Sequence, residues 1–287
     1  MTDTSYDAIV VGARCAGAPT AMLLAARGHR VLLVDRSRFP SDTMSTLVIQ
    51  PKGVAALKRW GLHDAVIATG CPPIHEYSFD FGPVVLNGRP QPIDGNAEAI
   101  APRRTVLDKI LIDAADGAGT EVREGFTVDD LLVEDGTVVG IRGHDESGTA
   151  VTERAREVIG ADGHNSRIAR LVEAPSYHDK SILENAFYTF WSGLPVDRMR
   201  TVIREDRGFA AIPTNDDQTL VLVGCPFAHA SHFRKDLEYN YLEALRRDPE
   251  WADLIADATR EADFVGGGAP HLFLQPLRPG WGLGRAG

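Results

Sequence analysis

The stretch YDAIVVGARCAG, Tyr6 to Gly17, constrains this chain more than any other. Ala8 to Val11 is a short apolar run ended by Gly12, and the residues after it place Ala18, Met22, Ala25 and Ala26 at helical spacing. That order is strand, tight turn, helix. Gly28 stands where a helix-terminating glycine does, and RVLLVDR is a second apolar strand that ends at Asp35-Arg36. A helix linking two buried parallel strands is a βαβ unit, so the expected fold is α/β with a Rossmann-like parallel sheet.

Gly12 and Gly17 keep the first and third positions of a G-x-G-x-x-G loop. Physically, such a loop needs a tight turn at Gly12 and close helix–strand packing at Gly17. The backbone N–H groups of Ala13, Cys15 and Ala16 at the helix start then face a pyrophosphate. Asp35 ends the next strand about 20 residues on, where an acid accepts from a ribose hydroxyl. Arg14 occupies the second glycine position and limits how closely the backbone approaches the phosphates. Its side chain is expected to leave the turn, or to lie along the pyrophosphate or the ribose. On this view Arg14→Gly is tolerated.

Further along, 50–68 has a helical pattern, and HEYSFDFGPVVLNGRPQPI alternates around Asn87-Gly88, a hairpin signal. RRTVLDKILIDAADGAG is an amphipathic helix, and 120–159 is a series of strands with turns at Asp135-Gly136 and Ser147-Gly148. Strands at 186–191 and 219–223 and one or two helices after Asp236 complete the pattern. The two kinds of region interleave. A nucleotide-binding domain is therefore expected from 1–75 and 99–175, interrupted by an antiparallel-sheet substrate domain from 76–98 and 176–287.

The 287 residues are 44% hydrophobic, enough for a substantial core, and the formal charge of -10 argues against nucleic acid as a partner. The acidic start MTDTSYD lacks the basic flank of a signal peptide, and no apolar run nears the ~20 residues of a membrane-spanning helix. Three well-separated cysteines, Cys15, Cys71 and Cys225, fit reduced thiols, so a cytoplasmic setting is expected. His229 and His232 lie one helical turn apart in HASH with no third ligand type nearby, and no metal is expected. Tyr188, Trp191 and Phe227 are candidates for an aromatic substrate pocket, or equally for core.

A second signal is GADGHNSRIAR, Gly160 to Arg170, where an acid precedes a glycine at the start of a helix. Together with the first loop and RRTVLD it resembles the flavoprotein monooxygenases of the p-hydroxybenzoate hydroxylase type and the related geranylgeranyl reductases. Asp162, Gly163 and Ser166 match that family's Asp-Gly-x-x-Ser pattern beside the flavin. Arg104, Leu107 and Asp108 match its Arg-x-x-Leu-Asp helix start, whose arginine reaches toward the cofactor. Asp35-Arg36 matches its acid–arginine pair at the adenosine ribose, and Val128 joins the same cofactor set. The resemblance implies bound FAD, NADH or NADPH as co-substrate, and a small-molecule substrate.

That resemblance implies a monooxygenase acting on a small aromatic or apolar molecule, with a flavin-dependent C=C reductase as the alternative. The reductases' Tyr-x-Trp-x-Phe-Pro pattern and the flavin halogenases' Trp-x-Trp-x-Ile-Pro pattern reduce here to GFAAIP, Gly208 to Pro213. PLRPGWGLGRAG, with Pro279, Gly280 and Trp281, resembles the approach to the family's Gly-Asp flavin motif without reaching it. A third expectation is therefore an inactive truncated fragment that binds FAD weakly and is poorly soluble. The oligomeric state stays open.

Overall fold

The computed structural model describes residues 5–45, 47–175 and 184–268. The PLRPGWGLGRAG stretch lies outside them. The described chain forms two units, 5–42 with 104–175 and 43–103 with 184–268. The breaks fall at 42/43 and 103/104, where the sequence suggested 75/76 and 98/99. Pairing explains the shift: Ile49 bridges Ile100, and Pro73 and Ile74 pair with Ile100 and Ala99, which ties 43–75 to the second unit.

In chain order, β1 (Tyr6–Val11), α1 (Gly17–Ala25) and β2 (Val31–Asp35) open the first unit. The second unit begins with α2 (Pro51–Arg59), α3 (His63–Ile67), β3 (Pro73–Ile74), β4 (Tyr77–Asp80), β5 (Val85–Gly88) and β6 (Ala99–Ile100). The first resumes with α4 (Arg104–Gly117), β7 (Glu121–Glu124), β8 (Thr127–Glu134), β9 (Thr137–His144), β10 (Ala150–Gly160) and α5 (Arg167–Leu171). The second is completed by β11 (Glu184–Ser192), β12 (Met199–Ile203), β13 (Gly208–Pro213), β14 (Thr219–Pro226), α6 (Ala230–Lys235), α7 (Leu237–Arg246), α8 (Pro249–Ala256), β15 (Thr259–Arg260) and β16 (Val265–Gly268).

The first unit's described sheet runs β7-β2-β1-β10-β9-β8. β1 pairs in parallel with both neighbours, and Val11 aligns with Val34 on one side and Gly160 on the other. Three strands thus end level, so the loops that follow them, at Gly12, Asp35 and Ala161, meet at one sheet edge. Ile9, Val10, Leu32 and Leu33 are fully buried, each contributing about 1.5–3 kcal/mol. Gly28 closes α1 with φ 87°, donating to Ala25 O, and Asp135-Gly136 turns β8 into β9 with φ 49° and 76°.

Among the described residues the second unit carries an eight-stranded sheet in which β11–β14 are the long members. β4 and β5 do form a hairpin, but its turn is Phe81 to Val84, with Asp80 Oδ1 accepting from Gly82 N at 2.6 Å. Asn87 and Gly88 sit inside β5, paired to Ser78 and Tyr77. Phe187 and Trp191 pack with Tyr241 and Trp251 of α7 and α8, whereas Tyr188 and Phe190 pack with Ile212 and Leu220. Strand alternation therefore places Tyr188 and Trp191 on opposite sheet faces, while Phe227 is exposed, so these three build no common pocket. His229 and His232 are both exposed. No helix among the described residues is long and apolar enough to cross a membrane.

Candidate dinucleotide site

The site is built on the first unit's level strand ends. Gly12 turns out of β1 with φ 102°, and a Cβ there would lie 2.4 Å from the Ala161 carbonyl oxygen. At Gly17 the crowding is more severe, since a Cβ would lie 1.7 Å from the Gly12 oxygen. Both glycines are steric requirements, as the loop pattern demanded. Among the described residues, the N–H groups of Arg14, Cys15, Ala16 and Gly17 donate to no acceptor. They cluster at the N-terminus of α1, where the helix dipole adds roughly half a positive charge.

Asp35 is half-buried and holds this loop. Its Oδ2 accepts from Ala13 N at 2.7 Å and its Oδ1 from Ser37 N at 2.8 Å. Each oxygen keeps a further lone pair, so a ribose hydroxyl can be accepted beside these bonds. Arg36 is exposed. Asp35→Ala is expected to weaken FAD affinity at least tenfold, about 1.4 kcal/mol, and to loosen the loop by a further ~1–3 kcal/mol of folding stability. FAD titration of the apoprotein beside a thermal melt reads both, and unchanged affinity would place the ribose elsewhere.

Arg14 leaves the turn, but for a specific partner. Its Nη1 donates to Asp108 Oδ2 at 2.6 Å, its Nη2 donates to Ser41 Oγ at 2.9 Å, and its guanidinium lies 5.0 Å from the centre of the Phe39 ring. Arg104 also grips Asp108, with Nε and Nη2 each donating at 3.0 Å to its two oxygens. Asp108 is wholly buried, and its two arginines are 23% and 12% exposed. The guanidiniums expected along the pyrophosphate and toward the cofactor thus neutralise a carboxylate on α4. Tolerance of Arg14→Gly does not follow from this geometry.

Cys15 is exposed as a residue, yet its Sγ turns to within 3.5 Å of Asp108 Oδ1. Loss of water around the sulfur, reinforced by the Asp108 charge, raises the thiol from 9.0 to about 11. Cys71 is pushed equally high by burial, and Cys225 upward as well. A shift from 9 to 11 leaves about 100-fold less thiolate at pH 8. Iodoacetamide at pH 8 is therefore expected to label Cys15 and Cys71 of the native protein about 100-fold more slowly than in the urea-unfolded chain, as followed site by site by mass spectrometry. Rapid native labelling of Cys15 would show that its sulfur faces water.

Asp162 turns its carboxylate onto α5, accepting from Ser166 Oγ at 2.5 Å, Arg167 N at 2.6 Å and Ile168 N at 3.2 Å. Ser166 Oγ in turn accepts from Ala169 N at 2.9 Å. The Asp-Gly-x-x-Ser pattern is thus a helix cap, and Gly163 takes φ 85° to allow it. Among the described residues the backbone N–H groups of Asp162 and Gly163 donate to nothing. Val128 points its side chain into the core beside Tyr6 and Ile9, leaving only its backbone for a ligand.

A turn closed by two glycines against a neighbouring loop, with unpaired N–H groups and an acid at the second strand end, is the arrangement a dinucleotide-binding loop requires. Residues 5–259 match the family described as FAD binding domain. The chain belongs to that family. It is 27% identical to phenazine 1,6-dicarboxylic acid hydroxylase PhzS of Lysobacter antibioticus, across 99% of this chain and 75% of that protein. It is 23% identical to rifampicin monooxygenase of Streptomyces venezuelae, across 97% and 61%. Among solved structures, the myxobacterial chondrochloren halogenase CndH, an FAD-dependent halogenase, superposes with a TM-score of 0.86 at 24% identity, covering 97% of this chain and 67% of that one. The chain thus spans 61–75% of the length of these two curated relatives. The residues present are of the chemistry the ADP portion of such a cofactor would need: Gly12 and Gly17 leave no side chain in the turn, the α1 N–H groups are free donors for a pyrophosphate, and Asp35 keeps lone pairs for a ribose hydroxyl.

Proposed function

We propose that this chain is an FAD-dependent oxidoreductase, a monooxygenase that uses NADH or NADPH to oxygenate a small aromatic or apolar molecule. The observation that carries the reading is the set of unpaired N–H groups on α1, held open by two glycines that no side chain can replace. The hydroxylase and monooxygenase activities named for its relatives support oxygen insertion as the reaction. Bound FAD supplies electron transfer from the nicotinamide and the activation of oxygen. The protein's residues orient that group: Asp35 fixes both the loop and the ribose, and the Asp162 cap presents two further N–H donors at the same sheet edge.

Purified protein supplied with FAD, assayed for NADH and NADPH oxidation against a panel of aromatic compounds under labelled oxygen, tests the reading. Labelled product with matching oxygen uptake is expected. Oxygen-independent reduction of an alkene would instead mark the reductase chemistry, and protein that retains no flavin would overturn the proposal.

A further inference from the structure

The β4–β5 hairpin ends the second unit's described sheet, and β5 is the outermost strand on that side. Its apolar side chains face water. Phe81, Val84, Val85 and Leu86 are 43%, 53%, 52% and 55% exposed, and Ile203, one step beyond the Val202–Asp80 pair, is 41% exposed. These five are half of the large apolar side chains that the described residues expose. No residue from 81 to 88 is charged. Elsewhere the edges are guarded: β7 carries Glu121, Arg123 and Glu124, β8 carries Asp129, Asp130 and Glu134 with a register break at Val128/Asp130, and β15 is two residues long. Charge and irregularity keep a strand edge from recruiting another strand, and β5 has neither.

The ladder inside the hairpin shows which groups are free. Phe81 N donates to Val84 O at 2.9 Å, so the hydrogen-bonded pairs are Phe81/Val84, Phe79/Leu86 and Tyr77/Gly88. The N–H and C=O groups of Val85 and Asn87 therefore point outward, where no strand among the described residues meets them. A second copy of β5 fits this edge in one register. With Leu86 on a two-fold axis, Val85 lies opposite the partner's Asn87 and exchanges two bonds with it, and symmetry repeats the pair. Val84 then stands opposite the partner's Gly88, which has no side chain to obstruct it, and no charge meets another. Moving the axis to Val85 brings Pro83, which lacks an N–H, into the ladder, and moving it to Asn87 runs the ladder past the end of β5 onto Arg89. The formal charge of -10 makes two copies repel over most of their surfaces, so an uncharged strip is where they can approach. A basic partner gains nothing there and is better served by the acids of β8.

We infer that β5 pairs antiparallel with β5 of a second copy about a two-fold axis at Leu86, joining two chains through one continuous sheet. The inference is independent of the oxidoreductase reading. An edge this short buries less than the ~1,200 Å² of stable complexes, so the dimer is a weak, exchanging one. Sedimentation velocity of the 287-residue chain over a micromolar concentration series reads the association. A monomer–dimer equilibrium is expected. Leu86→Lys, which sets two like charges on the axis, and Val85→Pro, which removes a donor that β4 does not use, are each expected to weaken it by about tenfold or more. Both are expected to melt as the parent does, since the substituted positions face water. Mild oxidation reads the register. Leu86→Cys is expected to form a covalent dimer, its two Cα atoms lying about 4.5 Å apart, whereas Val85→Cys is expected to form none, its copies lying beyond the ~7 Å that a disulfide spans. A chain that stays monomeric throughout overturns the inference and leaves the edge to a different strand. So does a dimer that Leu86→Lys leaves intact, or cross-linking of Val85→Cys in preference to Leu86→Cys.

Discussion

Asp108→Leu is expected to destabilise the protein by about 3–5 kcal/mol, because it removes one wholly buried carboxylate from between two guanidiniums. Leucine is also larger than aspartate, which adds overpacking at a wholly buried position, and it leaves Arg14 and Arg104 facing each other without a counter-ion. At the usual 2–4 °C per kcal/mol for a chain of this size, the melting temperature falls by roughly 10 °C. Arg14→Gly is expected to cost less, about 1–3 kcal/mol, since Arg104 keeps both of its bonds to Asp108. Calorimetry or chemical unfolding of the two variants checks the order. A melt of Asp108→Leu within 2 °C or so of the parent would show that water, not the carboxylate, neutralises these arginines.

The same cluster shows what the sequence makes legible and what it hides. β1, α1 and β2 are readable because two apolar strands, a helical stripe and the spacing of Gly12, Gly17 and Asp35 all depend on local chemistry. Their meeting point is nearly as clear, since Asp162 follows another apolar strand. The partner of Arg14 is not, because Asp108 lies 94 residues away and only the packing of α1 against α4 brings them together. Asp162 was legible as a marked position but not as a cap, for a carboxylate that serves its own helix and one that serves a ligand look alike in sequence. The β4–β5 turn was misplaced because Asn-Gly is a strong signal for positive φ, yet the Asp80–Gly82 bond closes the hairpin first and leaves Asn87-Gly88 in the strand. Arg103 stands beside Arg104 in the sequence. Only the three-dimensional structure shows that, among the described residues, Arg104 has a carboxylate and Arg103 does not.

Gly17→Ala separates helix propensity from loop geometry, because the two predict opposite signs. Alanine in a helix ordinarily stabilises by about 0.5–1 kcal/mol relative to glycine. At Gly17, however, the new Cβ would lie 1.7 Å from the Gly12 carbonyl oxygen and 3.2 Å from the Ala161 Cβ. Relief demands that the Gly12 turn and the first turn of α1 part by more than an ångström, well beyond what a rotamer change supplies. That movement displaces the N–H groups of Cys15 and Ala16 from the pyrophosphate position and pulls Ala13 N away from Asp35. The steric effect therefore wins, and FAD affinity is expected to fall at least 100-fold, about 2.7 kcal/mol, together with a lower melting temperature. Gly117→Ala at the end of α4 is the control: a Cβ there meets nothing within 4 Å, so it is expected to leave FAD binding unchanged and to raise stability slightly. Equilibrium FAD titration of both variants decides the matter. If Gly17→Ala binds FAD as tightly as Gly117→Ala, the cofactor's phosphates do not rest on this loop.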